Sequence, residues 1–145
     1  MRYLWIVYFM FLPMTLQATG QSVTQALGEF AWEKRQIIVF TPAADDSRLT
    51  RFKTIQTEFA EDFAERFLQT WIIEADGKVL LEGKQDSRLQ ADSFYQHFNV
   101  QKDEFRVVLI GYDQGEKLRQ AVFNIDELLG EIDQMSMRQQ EMRSQ

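Results

Sequence analysis

The sequence predicts a single α/β domain, and three observations carry that expectation. Two short apolar runs rich in β-branched residues, Ile37-Ile38-Val39-Phe40 and Val107-Val108-Leu109-Ile110, fit strands buried on both faces. Between the first run and the next apolar segment, Leu49, Phe52, Ile55, Phe59, Phe63 and Phe67 step by three or four, the period of a helix with one apolar face. The composition is ordinary for a globular domain: 145 residues, 45% hydrophobic and 26% charged, with two prolines and seven glycines leaving little material for an interdomain linker.

The elements follow in order. After a polar lead from Gln21 to Gly28, Arg35 to Thr41 forms the first strand, and Pro42 ends it. The loop Ala43-Ala44-Asp45-Asp46 leads into the long helix, with Asp46 or Ser47 capping its first turn. Leu68 to Ala75 is the second strand, so strand, helix and strand make a parallel βαβ unit. Asp76-Gly77 reads as a two-residue hairpin turn that sends Lys78 to Leu81 back along it. A shorter helix lies between Ser87 and Phe98, started by a Ser87/Gln90 capping box or at Asp92. Phe105 to Gly111 is the third main strand. Asp113-Gln114-Gly115 turns it into a fourth, Glu116 to Val122, and Asn124 with Glu127 caps a last helix on Leu128, Leu129 and Ile132.

The N-terminus reads as a leader. Arg2 precedes an almost unbroken apolar stretch, Tyr3 to Leu16, and Ala18-Thr19-Gly20 supplies small residues for a cut after Gly20. About 14 apolar residues interrupted by Pro13 fall short of the ~20 that span a bilayer, so residues 1–20 are expected to be a cleaved signal peptide. The product is exported, periplasmic or secreted, without stable membrane insertion. The domain is expected over residues 28–135, followed by a Met-, Arg- and Gln-rich tail over 136–145.

Charge and sulfur exclude two function classes. Without Arg2, 15 of the 16 basic residues face 22 acidic ones, a formal charge of −7, and no basic cluster interrupts the acidity, which argues against nucleic acid. There is no cysteine. Thiol–disulfide exchange needs a thiolate, so the chain cannot perform it by itself.

The order βαβ, a helical excursion, then ββα is that of a thioredoxin-like three-layer sandwich with a mixed central sheet. Enzymes of that fold carry reactive cysteines where this chain has Thr41 to Ser47, and a proline before the third strand where it has Asp103-Glu104. Three stretches extend the likeness: Val39 to Leu49, Phe105 to Leu118 and Ile132 to Arg138. On these the chain is identified as a member of the family known as domain of unknown function 4174. The resemblance covers about residues 28 to 143 and implies an exported bacterial thioredoxin-like domain without redox cysteines. The family pattern favours Lys at Tyr112, Gly at Gln114 and Pro at Ser136, so this chain departs from it at all three positions.

Three groups of residues carry candidate chemistry. The first is the start of the long helix, where Asp45, Asp46 and Arg48 make either a capped helix end or a binding loop. With Asp103 and Glu104 the two aspartates also suggest a metal site or an acid–base pair. The second is the hairpin, with Asp113 and Lys117. The third is the tail, where Met135, Met137 and Arg138 offer partner contacts and Met135, Met137 and Met142 offer soft ligands for Cu(I). His97, the single histidine, is expected to be partly buried on its helix. Element order places the Thr41–Arg48 loop at one end of the sheet and the hairpin and tail at the other.

The functional expectation is a non-catalytic binding or accessory module without cofactor or resident metal. Its contact surface is the hairpin plus tail, and its partner another envelope protein. Copper handling by the methionines and a carboxylate-based enzyme are the alternatives.

Overall fold

A computed structural model describes residues 20–145; the leader expected over residues 1–20 lies outside them except for its last residue, Gly20. Six strands form one mixed sheet in the order β4-β3-β2-β1-β5-β6. Strand β1 (Arg35–Thr41) is central, pairing parallel with β2 (Leu68–Glu74) and antiparallel with β5 (Arg106–Ile110). β6 (Glu116–Gln120) closes one edge on β5. β3 (Val79–Leu81) and the two-residue β4 (Lys84–Gln85) close the other.

The unbroken apolar runs are explained by two separate cores. Ile38, Phe40, Trp71, Ile73, Val108 and Ile110 face one side of the sheet, under α1 (Val23–Gly28) and α4 (Ala91–Phe98). Ile37, Val39, Ile72, Val107 and Leu109 face the other, under α2 (Ser47–Glu58), α3 (Ala60–Glu65) and α5 (Ile125–Gln134). Alternate residues of a strand point to opposite faces, so a strand covered on both sides must be apolar throughout. The result is helix, sheet and helix in three layers. Among the described residues no helix is long and apolar enough to cross a membrane.

Several local expectations need correction. The polar lead contains α1, and Ser22 and Gln25 close a capping box at its start. The predicted long helix is two, α2 and α3, separated at Phe59. Phe67 lies beyond both, with φ +53 and 44% of its surface exposed, so the last step of the apolar period is not helical. Helix α4 starts at Ala91 behind Gln90, which supplies no side-chain cap, and neither the Ser87 box nor an Asp92 start forms. His97 is exposed rather than partly buried, resting its ring edge-on against Phe98. Asn124 does cap α5, accepting from the Glu127 N–H, while the Glu127 carboxylate takes the Gln120 side chain instead of closing a box.

The β2–β3 and β5–β6 hairpins have three-residue loops, whereas β3 and β4 join through two residues, Glu82-Gly83. Glu74 and Lys78 pair across Ala75-Asp76-Gly77, with Gly77 at φ +114, so the turn is one residue longer than the Asp-Gly signal suggests. Gly111 and Gly115 pair across Tyr112-Asp113-Gln114, and here Gln114 takes the left-handed position at φ +67. The last ten residues are not merely an extension: Ser136–Arg143 forms helix α6.

Candidate binding cleft

Helix α6 is held to the domain by buried arginines. Arg35, at the start of β1, is fully buried. It makes a bidentate pair with Glu141 of α6, Nη1 and Nη2 each donating to a carboxylate oxygen at 3.2 Å. Nη1 also donates to the Arg66 carbonyl at 2.9 Å, and the guanidinium lies 4.1 Å from the centroid of the Tyr112 ring. The Tyr112 hydroxyl donates to Glu141 at 2.8 Å. Burial, reinforced by that hydrogen bond to a carboxylate, pushes the Tyr112 phenol up to about 12.

Arg138 is the second anchor. Its side chain is 1% exposed and reaches the Glu65 carboxylate and carbonyl, Asp133 and Glu141. Arg66 completes the network with two bonds to Asp133, at 3.0 and 2.9 Å, and two to Asp62, one to its carboxylate and one to its carbonyl. The Arg66 guanidinium, ahead of Arg138, holds the Asp133 carboxyl below the usual aspartate range. The sequence suggests Arg138 as a contact residue. The structure places it inside the domain, with its guanidinium committed to these partners.

Docking α6 in this way creates a cleft of about 380 Å³ against the β5–β6 hairpin. Trp32, Tyr112, Met135 and Met137 supply apolar wall, while Arg35, Asp113, Lys117 and Ser136 supply polar groups. Trp32 is 66% exposed and sits at φ +65, fixed by its N–H bond to the Tyr112 carbonyl. A bulky aromatic residue in the left-handed region is strained by about 1–3 kcal/mol, and such strain concentrates at functional sites.

Glycine places the lysine. A Cβ on Gly111 would lie 2.6 Å from Lys117 Cε, and one on Gly115 would lie 3.3 Å from its Nζ, so both glycines leave room for the side chain to fold back along the turn. Lys117 Nζ donates to Asp113 at 2.8 Å, and Asp113 also accepts the Gly115 N–H. Those two bonds hold the Asp113 carboxyl below its usual range, the lysine contributing most.

The candidates from sequence therefore separate into two ends. Asp113, Lys117, Met135 and Met137 line the cleft, and Trp32, Arg35 and Tyr112 join them, although sequence reading did not single out Trp32 or Arg35. Asp45, Asp46 and Arg48 lie at the opposite end of β1. There Asp46 caps α2 and pairs with Arg48 at 2.9 and 2.7 Å, while Arg48 rests 5.3 Å from the centre of the Phe105 ring. Glu104 pairs with Arg106. Among the described residues no three His, Asp or Glu side chains converge to hold a metal ion. Met137 and Met142, five positions apart on α6, point about 140° away from each other around its axis, and Met135 packs against the core. The three thioethers do not share one face.

A wider, shallower depression of about 640 Å³ runs from Asp92 to Asp103 along α4. Three of its polar side chains are engaged: Asp92 pairs with Lys102, and the Tyr95 hydroxyl shares its proton between the Thr41 and Ile73 carbonyls. It lacks the exposed aromatic and the buried guanidinium of the cleft.

The model of the family described as domain of unknown function (DUF4174) matches residues 26–141, which include all of both cores except Val23, the hairpin and the first six residues of α6. The chain belongs to the DUF4174 family. No curated protein and no solved structure matches it. The matched span takes in every cleft residue from Trp32 to Met137, so the cleft lies within the DUF4174 domain.

Proposed function

We propose that this DUF4174 protein is an exported, non-catalytic binding module of thioredoxin-like architecture, and that it binds through the cleft between the β5–β6 hairpin and α6. The observation that carries the reading is the meeting of Trp32, Lys117 and Met137, from three distant parts of the chain, around the buried Arg35. An exposed aromatic beside adaptable thioethers and a few fixed polar groups is the make-up of a ligand site.

The thioredoxin-like part is supported by the inner strand order β2-β1-β5-β6, with β1 parallel to β2 and antiparallel to β5. The absence of cysteine from the chain supports a role other than thiol exchange. Export is supported by the apolar leader and its small-residue cut site.

Amide chemical-shift mapping against a library of small fragments tests the site. Hits that move Trp32, Tyr112, Lys117 and Met137 together support the proposal. Hits confined to the α4 depression, or scattered over the surface, contradict it.

A further inference from the structure

We infer that the cleft selects an organic carboxylate carried on an apolar or aromatic body, an inference that rests on the cleft being the binding site. Three donor groups of different origin belong to the residues that line it. Arg35 is fully buried at the cleft, and its Nε has no hydrogen-bond partner among the described residues. A buried guanidinium N–H without an acceptor is costly, and a ligand oxygen relieves that cost.

The second donor is Lys117, an ammonium held in place over Gly111 and using one bond on Asp113. An ammonium has three donors, so capacity remains for a ligand. The third is the start of α6. Met135 provides no side-chain cap, and the first-turn N–H groups of any helix lack intrahelical partners. Met135, Ser136 and Met137 line the cleft, which places the positive end of the helix dipole there.

The balance of formal charge favours a monoanion over a dianion. Glu141 offsets Arg35 and Asp113 offsets Lys117, so the remaining attraction comes from the helix end and the unused donors. Trp32, Met135 and Met137 supply the surface for an apolar body, and about 380 Å³ accommodates a small molecule or the last residue of a peptide. Free acids and protein C-termini share this chemistry.

Fluorine NMR on the full-length protein labelled with 5-fluorotryptophan reads the cleft through Trp32, with buried Trp71 as internal reference and the third tryptophan, Trp5, assigned through Trp5→Phe. Phenylacetate represents a free acid and N-acetylphenylalanine a chain terminus; phenethylamine and inorganic phosphate are the controls. The expected result is a saturable shift of the Trp32 signal with one or both carboxylates and none with the controls. The stronger of the two acids identifies the source. Lys117→Met should weaken the preferred acid about tenfold, and Asp113→Asn should tighten it severalfold by removing the competing carboxylate. Equal shifts from phenethylamine and phenylacetate would overturn carboxylate selection while leaving the cleft as a binding site. A Trp32 signal unmoved by every probe would overturn the ligand class, whereas fragment hits at the cleft would still support the site.

Discussion

Arg35 and Glu141, separated by 106 positions in the chain, form a two-bond ion pair inside the domain. The arginine is wholly buried and the glutamate side chain is 19% exposed, so the contact ties the last helix to the first strand through a largely desolvated charge. The cleft exists because this pair and Arg138 hold α6 against the hairpin end of the sheet.

Removing one partner should therefore cost far more than a surface pair would. Glu141→Gln leaves the Arg35 charge buried without its counter-ion, and a loss of about 3 kcal/mol is expected. Replacing both partners by apolar residues, as in Arg35→Met with Glu141→Leu, should cost less than the two single changes added together. Urea denaturation of the four proteins in the cycle gives the coupling directly. Additive losses would mean that the pair is energetically idle.

Gln114 occupies a left-handed position for which its side chain gives no evident return. Its Nε2 is buried without a partner, and its Oε1 meets Gln36 only at 3.5 Å. The equivalent position of the β2–β3 hairpin is Gly77. Gln114→Gly is expected to stabilise the fold by about 0.5–1 kcal/mol, the relief of left-handed strain exceeding the entropy that glycine adds to the unfolded chain. A raised thermal midpoint is the readout.

Ser136 opens α6, directly after Met135 at φ −67, ψ 137. Proline suits the first helical position, and the residue before it already has the extended conformation that proline requires. Ser136→Pro should add about 0.4–1 kcal/mol by restricting the unfolded chain. Differential scanning calorimetry showing a lower midpoint would refute this reading of the α6 start.

Asp133 links stability to acid. Its folded pKa is depressed, by Arg66 first, so its contribution is present above the unfolded value of about 3.9 and is lost as pH falls through the folded value. The urea midpoint is expected to fall on acidification below about pH 4. The Asp133→Asn variant should start lower at neutral pH and fall less steeply. Parallel curves for the two proteins would place the acid sensitivity elsewhere.

The sheet was legible in the sequence because a strand buried on both faces must be apolar at every position, as Ile37 to Phe40 and Val107 to Ile110 are. The Asp46 and Asn124 caps were legible for the same kind of local reason. Helix α1 was missed although Ser22 and Gln25 carry a capping-box spacing, because a six-residue helix shows too little periodicity to stand out. Phe67 misled because a period of four continues on paper after the backbone has turned.

The cleft was half legible. Asp113, Lys117, Met135 and Met137 were singled out from the hairpin and the tail composition. Arg35 was not, because nothing in one sequence pairs a strand-start arginine with a glutamate 106 residues away. Arg138 shows the converse: its composition-biased neighbourhood reads as a surface for partner contacts, yet the side chain is buried, and three acidic side chains make that burial tolerable.

The most direct test of the cleft as the contact surface is photo-cross-linking in cells of the protein's source, from a photoreactive residue at Met137 and, separately, at exposed Gln96 beside the α4 depression. The account predicts a discrete adduct from position 137 that disappears with Trp32→Ser, and none from position 96. An adduct from position 96 alone, or a position-137 adduct indifferent to Trp32, would contradict it.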